Sequence, residues 1–231
     1  MIFGGIQLTT TLDYPGEIAT LLFTKGCNMH CGYCHNASIV NGEGSSFTDK
    51  EIFEKIMKRK HVIDHICISG GEPSIYGNEL IQFLIRLKNH GFKVKLDTNG
   101  LNSEFLYQVI RLRLVDYIAM DIKTCLLRDE YSKVSGKRLT EMDMSAIRES
   151  IHYIMTSNIK FEFRTTVTRT YHLPDTLSKI AELRLPHHYL QKFINSDRIF
   201  DQRIEEYTDS EMMEILSMMQ KINPKMELRG V

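Results

Sequence analysis

The chain has 231 residues, enough for one domain with a sizeable core, with 42% hydrophobic and 25% charged residues as in ordinary soluble proteins. Its 29 basic residues balance 29 acidic ones, which excludes the basic excess of a generic nucleic-acid binder, so no nucleic-acid partner is expected. The start, Met1-Ile2-Phe3-Gly4-Gly5, carries no basic and long apolar leader, and apolar stretches such as 18–23 are too short to span a bilayer; a cytoplasmic location without a membrane partner is expected.

In chain order, the apolar, β-branched run 18–24 predicts a strand, and Thr48 and Asp49 open a helix over 48–59. A short strand at 65–69 precedes an amphipathic helix over 78–90, which Gly91 ends. Strand 92–96, helix 103–112 and strand 115–120 follow, then a polar loop and a helix over 143–157. Strand 161–167, helix 173–185 and strand 188–194 come next, and a helix over 210–222 leads to a possible strand at 226–229. Such alternation implies parallel pairing through right-handed crossovers. Six βα units are too few for a closed eight-unit barrel, so an α/β fold with a partial (βα)6 TIM-like barrel is expected. The chain shows no repeat or linker, and reads as a single domain over 1–231 with a core at about 16–200 and a C-terminal helix and tail at 201–231. In folds of this kind chemistry collects at the carboxyl ends of the strands.

Cys27, Cys31 and Cys34 follow the first predicted strand in a loop that also carries Gly26 and Gly32. Three cysteines within eight residues of a reducing-compartment protein favour metal ligation over disulfides. Thiolates suit zinc or iron–sulfur clusters, and His30 and His35 stand near enough in sequence to complete a zinc site. Three ligands on a four-iron cluster would leave one iron open to a cofactor. Cys67, within a strand, and Cys125 read as small buried hydrophobes.

The run Cys27-Asn-Met-His-Cys31-Gly-Tyr-Cys34-His35-Asn36 resembles the signature loop of the radical S-adenosylmethionine superfamily, and its Tyr-Cys-His-Asn ending is similar to the activating enzymes of glycyl-radical enzymes. The resemblance implies the radical-SAM form of the partial barrel and one [4Fe–4S] cluster on the three cysteines. S-adenosylmethionine would occupy the open iron, with Tyr33 near its adenine and His35 beside the cofactor. It extends from Asp13-Tyr14-Pro15-Gly16 to Glu227-Leu-Arg229-Gly, where it is similar to activating proteins of anaerobic ribonucleotide reductase. No cysteine-rich ferredoxin insert follows Cys34, so a single cluster is implied.

Other motifs fall at successive strand ends. Ser69-Gly70-Gly71-Glu72-Pro73 is an ordinary strand-to-helix turn by itself, with glycines that let backbone approach a ligand. In the superfamily the similar segment binds the methionyl amino group, which implicates Gly70, Gly71 and the carboxylate of Glu72. Leu96-Asp97-Thr98-Asn99-Gly100 and Met120-Asp121-Ile122-Lys123 are turn-like too, yet match patterns of pyruvate formate-lyase activating enzyme. By that match Asp97, Thr98 and Asp121 are candidates for a monovalent cation near the cofactor carboxylate, and Lys123 for a cofactor or substrate contact. Arg164 could pair with that carboxylate or be a solvated strand residue. Gln191 and Asn195 are weaker candidates for the ribose or adenine edge, and His187-His188 reads as structural.

The implied activity is reductive cleavage of S-adenosylmethionine followed by hydrogen abstraction from a glycine of a partner enzyme. That step needs no general acid or base, in keeping with the lack of a convincing dyad in the sequence. Anaerobic ribonucleotide reductase is the implied partner, a pyruvate formate-lyase-like enzyme the next, with a flavodoxin- or ferredoxin-type electron donor. Two other readings stay open: a radical-SAM enzyme acting on a small molecule, as 7-carboxy-7-deazaguanine synthase does, and a zinc-stabilised binding module.

Overall fold

The structure, a computed structural model, describes residues 1–230, so Val231 of the expected tail lies outside the described residues. The elements run β1 (Ile2–Thr10), β2 (Ala19–Thr24), α1 (Ala37–Val40), β3 (Phe47–Thr48), α2 (Asp49–Met57), β4 (His65–Gly70), α3 (Asn78–Asn89), β5 (Lys93–Thr98) and α4 (Ser103–Arg111). They continue as β6 (Tyr117–Asp121), α5 (Arg128–Ser135), α6 (Glu141–Thr156), β7 (Lys160–Val167), α7 (Pro174–Glu182), β8 (His188–Lys192), α8 (Asp209–Gln220) and β9 (Glu227–Arg229). The chain forms two compact units, each assembled from three segments. One comprises Met1–Asn28, Ser38–Ala119 and Ala146–Lys160; the other comprises Met29–Ala37, Met120–Ser145 and the chain from Phe161 onward.

In the first unit the strand order is β3-β1-β2-β4-β5-β6. β2 pairs with β4 and β4 with β5 in parallel, while β1 is antiparallel to both β2 and β3. The run Ala-Thr-Leu-Leu-Phe-Thr of β2 is buried at every position but Phe23, as a strand covered on both faces requires. Helix α2 opens with a reciprocal capping box between Thr48 and Glu51. Helix α3 buries Leu80, Ile81, Leu84 and Leu87, and Gly91 takes the left-handed conformation (φ +73°) just beyond its end.

In the second unit β7, β8 and β9 pair in parallel in that order. Their core joins Val167 and Leu190 to Leu177 and Ile180 of α7, Met212, Ile215 and Met219 of α8, and Met226. A second capping box, Thr208 with Glu211, starts α8. Mostly parallel pairing through helices is the α/β class that the sequence predicts.

Several elements depart from the sequence reading, among them the short α1 and β3, which it did not contain. β1 is a nine-residue strand that buries only Phe3 and Thr10, so it lacks the alternation by which strands are recognised. The expected polar loop after β6 contains α5, whose Arg-Asp-Glu-Tyr-Ser-Lys-Val-Ser is polar except where Tyr131 and Val134 turn inward. Strand β8 stops at Lys192, two residues short of its predicted end.

Leu190 is fully buried within the β8 core, so Leu190→Ala should cost about 2–5 kcal/mol of stability. Thr208→Ala, which removes a cap and its reciprocal bond, should cost about 1 kcal/mol. Urea unfolding of the two variants checks both the size and the order of these losses.

Candidate functional site

In the first unit the backbone leading to Cys27 is gripped by the turn after β4. Glu72 N–H donates to the Gly26 carbonyl at 2.9 Å, and Gly71 N–H to the Thr24 carbonyl at 2.9 Å. A Cβ on Gly71 would lie 1.8 Å from the Gly26 oxygen, and one on Gly70 (φ +114°) would lie 2.4 Å from Thr24 N. Glycine at both positions is therefore a packing requirement. The Glu72 carboxylate, expected to meet an ammonium group, instead accepts from Ser74 N–H (3.1 Å), Thr98 Oγ1 (2.8 Å) and Asn99 N–H (2.7 Å). Burial pushes this carboxyl up, against the pull of those donors. Asn99 then reaches Asn28 Oδ1 with its side-chain amide at 2.8 Å. The Gly-Gly-Glu-Pro and Asp-Thr-Asn-Gly segments thus form one hydrogen-bonded assembly around residues 26–28. Asp97, beside it, pairs with the buried Lys95.

The second unit holds Cys31, Tyr33 and Cys34. Cys34 N–H donates to the Cys31 carbonyl at 3.0 Å, closing a tight turn. The turn is fixed from several sides. His30 N–H donates to Ser135 O at 2.8 Å, and Gly136, in the left-handed region at the end of α5, presses so close that a Cβ would sit 2.0 Å from His30 O. The His30 ring stacks on Phe200 at 3.7 Å, and Asp201 N–H donates to Gly32 O at 3.0 Å. His35 Nε2 donates to Ile194 O at 2.7 Å. Tyr33 lies in an aromatic nest with Tyr171 and Phe193, both at 6.3 Å, and its buried hydroxyl has no hydrogen-bond partner among the described residues. Burial pushes the thiols of Cys31 and Cys34 up, with Lys123 pulling both down.

At the end of β6, Asp121 stands between Arg164 Nε at 2.9 Å and Lys123 Nζ at 3.0 Å. Burial would raise the Asp121 carboxyl, but the two cations outweigh it and bring it down to about 2. Burial disfavours the Lys123 ammonium, and Asp121, Tyr33 and Cys31 reverse that, so the amine is held well above its usual range. Lys123 is also fixed through its backbone: its N–H donates to Tyr131 Oη at 3.1 Å, and its carbonyl accepts from His172 Nε2 at 2.8 Å. His172 Nδ1 accepts from Thr168 N–H at 3.1 Å, which sets the tautomer.

The aspartates expected around a monovalent cation both have protein cations as partners. Among the described residues no three His, Cys, Asp or Glu side chains gather as they would around a single metal ion. Arg164 is the half-buried member of an ion pair and not a solvated strand residue. Gln191 is half-buried on β8, in register with Thr166 and Arg229. Asn195 uses its amide to hold the carbonyls of Gln202 (3.4 Å) and Ile204 (3.1 Å) of the loop after β8. Cys67 and Cys125 are buried, and His188 is a buried residue with Thr165 Oγ1 at 2.9 Å, as the sequence predicts. Sequence reading passed over Tyr131, Gly136 and His172; the Gly136 that follows a polar helical run was the one available signal.

Two predictions follow from this geometry. Gly71→Ala must displace the backbone before Cys27, so iron and sulfide uptake on anaerobic reconstitution should fall to less than about half of wild type; near-complete loading would refute the constraint. Burial holds His172 and His188 at about 4, below the 6.5 of an exposed histidine, so their stabilisation is complete above pH 6.5 and declines as pH falls toward 4. Thermal melts between pH 7.5 and 5 (roughly spanning that window) should show a shallower decline for His188→Gln than for wild type.

The donor set fits an iron–sulfur cluster: three thiols, none in a disulfide, carried by a loop that glycines and hydrogen bonds hold in place. The profile of the Radical SAM superfamily matches residues 21–183. A Methanocaldococcus jannaschii protein named for glycyl-radical enzyme activation is 36% identical over 166 residues, 71% of this chain and 68% of that protein. The pyruvate formate-lyase-activating enzyme of Clostridium pasteurianum is 30% identical over 145 residues, so the match spans 59% of either chain. Among solved structures, a radical SAM methyltransferase from Sphaerobacter thermophilus superposes with a TM-score of 0.70 at 14% identity, over 94% of this chain and 67% of that one. The fold expected from the sequence is thereby established, and the cofactors of this superfamily, a [4Fe–4S] cluster and S-adenosylmethionine, are those of this chain. The chain belongs to the radical SAM superfamily, as an enzyme homologous to the glycyl-radical activating enzymes.

Proposed function

We propose that this enzyme generates a glycyl radical on a partner protein, and that the partner is an anaerobic ribonucleotide reductase. The observation that carries the activase reading is the 36% identity to the M. jannaschii protein over more than two thirds of each chain. The choice of ribonucleotide reductase rests on the sequence flanks, Asp13-Tyr14-Pro15-Gly16 and Glu227 to Gly230. A flavodoxin- or ferredoxin-type protein supplies the electron, in the cytoplasm, and the two units work as one radical-SAM domain. Among the described residues no helix is long and apolar enough to cross a membrane.

In this reading Cys27, Cys31 and Cys34 hold the cluster. Bound together, cluster and S-adenosylmethionine supply one-electron chemistry that ends in removal of a hydrogen atom from an aliphatic carbon. The chain's own residues bind and orient. Backbone of Gly70 and Gly71 receives the methionyl amino group, while Glu72 holds that turn to Asn99 by the bonds described above. Arg164 and Lys123, both paired with Asp121, are the cations that would face the methionyl carboxylate. Tyr33 and His35 border the adenine, with Gln191 toward the ribose. A buried aromatic nest around Tyr33 excludes water, which protects a radical intermediate.

The test mixes the photoreduced, reconstituted enzyme with S-adenosylmethionine and the anaerobic ribonucleotide reductase of the same cell. A glycyl doublet in the electron paramagnetic resonance spectrum is expected, and Cys31→Ser should lose it. Formation of 5′-deoxyadenosine with no doublet on any glycyl-radical enzyme of that cell would defeat the activase reading and leave a small-molecule substrate.

A further inference from the structure

A cavity of about 780 Å³ lies in the first unit, at the end of its parallel strands opposite to the end where β2 runs on to Cys27. The loop before β2, the first residues of β4, β5 and β6, and the turns after α4 and α6 line it. Small-molecule sites occupy roughly 300–1,000 Å³, so the space is sufficient for a ligand. In barrels of this kind the chemistry sits at the other end, and this end ordinarily serves packing.

The wall toward β2 and β4 is aromatic and polar. Tyr14 is 6% exposed, and its hydroxyl has no protein hydrogen-bond partner among the described residues. A buried phenol normally finds one. Burial, with Asp116 and Glu17 nearby, pushes this phenol up, so it keeps its proton and can donate. The Tyr14 ring meets that of His65 edge to face, with centroids 4.9 Å apart. His65 Nδ1 donates to Asp64 Oδ1 at 2.8 Å, which leaves Nε2 of the neutral ring as an acceptor. Glu17 Oε2 stands 3.9 Å from that nitrogen, too far for a hydrogen bond. A donor and an acceptor thus lie on adjacent rings, complementary to a planar head that carries an acceptor beside a donor, as a nucleobase does.

Toward β5 and β6 the lining is cationic. Lys93, the first residue of β5, shares Asp116 with Lys88. Arg113 and Lys160 are exposed and have no carboxylate partner among the described residues. Exposed cations by themselves define no site, because water serves them well. Here they border the same cavity as the Tyr14–His65 pair. Three cations suit an anion of more than one charge, and a guanidinium takes phosphate oxygens two at a time.

We propose that this cavity is a second ligand site, for a nucleoside phosphate whose base meets Tyr14 and His65 and whose phosphate meets Lys93, Arg113 and Lys160. The site is separate from the cysteine loop, so its ligand does not compete with S-adenosylmethionine.

The experiment is isothermal titration calorimetry of the anaerobically reconstituted enzyme, with and without saturating S-adenosylmethionine. The probes are ATP, GTP, CTP and UTP, then inorganic tripolyphosphate and the matching nucleoside. At least one nucleotide should bind with a Kd of about 100 μM or tighter, and tripolyphosphate and nucleoside each about tenfold more weakly. Tyr14→Phe should weaken that nucleotide about fivefold at an unchanged melting temperature, because the hydroxyl it removes has no protein partner. Joint replacement Arg113→Gln and Lys160→Gln should weaken it about tenfold and leave 5′-deoxyadenosine formation as in wild type. The proposal is overturned if no nucleotide binds more tightly than about 1 mM. Tripolyphosphate binding as tightly as the nucleotide also overturns it, since that marks a plain basic patch. Displacement of the nucleotide by S-adenosylmethionine does the same, as does wild-type affinity in the doubly substituted enzyme.

Discussion

The contact on which the rest of the site depends is a carbonyl oxygen, that of Gly26, received by the backbone of the Gly71–Glu72 turn. Its tolerance is narrow: a single methyl group at Gly71 would fall 1.8 Å from that oxygen. A chain running from a strand into a ligand-bearing loop has no intrinsic reason to hold one conformation, because loop backbone lacks a ladder of its own. Here the next parallel strand supplies the missing partners at its own carboxyl end. The Glu72 carboxylate then relays the constraint to Thr98 and Asn99, and Asn99 returns it to Asn28. The hydrogen bonds form a closed circuit through residues 26–28, 71–74 and 98–99. Removing any one member leaves a buried polar atom unsatisfied, which costs more than the bond itself contributes.

The second unit fixes its share of the cysteine loop by different means. Gly136 at the end of α5 sits against His30, Phe200 stacks on the His30 ring, and Ile194 and Asp201 accept and donate at His35 and Gly32. These contacts come from segments far apart in sequence, which is costly in chain entropy but rigid once made. Hydrogen-atom abstraction asks for this kind of scaffold. It needs no residue of tuned acidity, which leaves the charged groups at the strand ends to the binding roles proposed for them. That accounts for the state of Asp121, brought down to about 2 and therefore anionic at any working pH, with two cations on it.

How legible this was depended on the range of the determining forces. Capping boxes at Thr48 and Thr208, the apolar stripe of α3 and the strands β2, β4 and β7 are local patterns, and the chain spells them out. The cysteine spacing and the glycine pair were equally plain. Strand β1 was hidden because its pairing with β2, not its own alternation, holds it in place. Helix α5 was hidden because its value lies in two inward residues and one glycine contact to a distant loop. The role of Glu72 could not be read either. A carboxylate in a glycine-rich turn looks like a ligand for an ammonium group, and only the fold reveals that three protein donors reach it first.

Charge completes the argument. Glu72 is buried among neutral donors that pull its carboxyl down against burial, while Asp121 is paired with both Lys123 and Arg164. Asp97 is paired with Lys95. The methionyl end of S-adenosylmethionine is itself a zwitterion, with an ammonium and a carboxylate on the same carbon. The proposed function assigns the first to the Gly70–Gly71 backbone and the second to the cations paired with Asp121. Asp121 holds Lys123 at 3.0 Å and Arg164 at 2.9 Å, where low polarity strengthens attraction and salt screens it least. A ligand lacking the carboxylate would gain nothing from these cations, so the proposed recognition discriminates by charge.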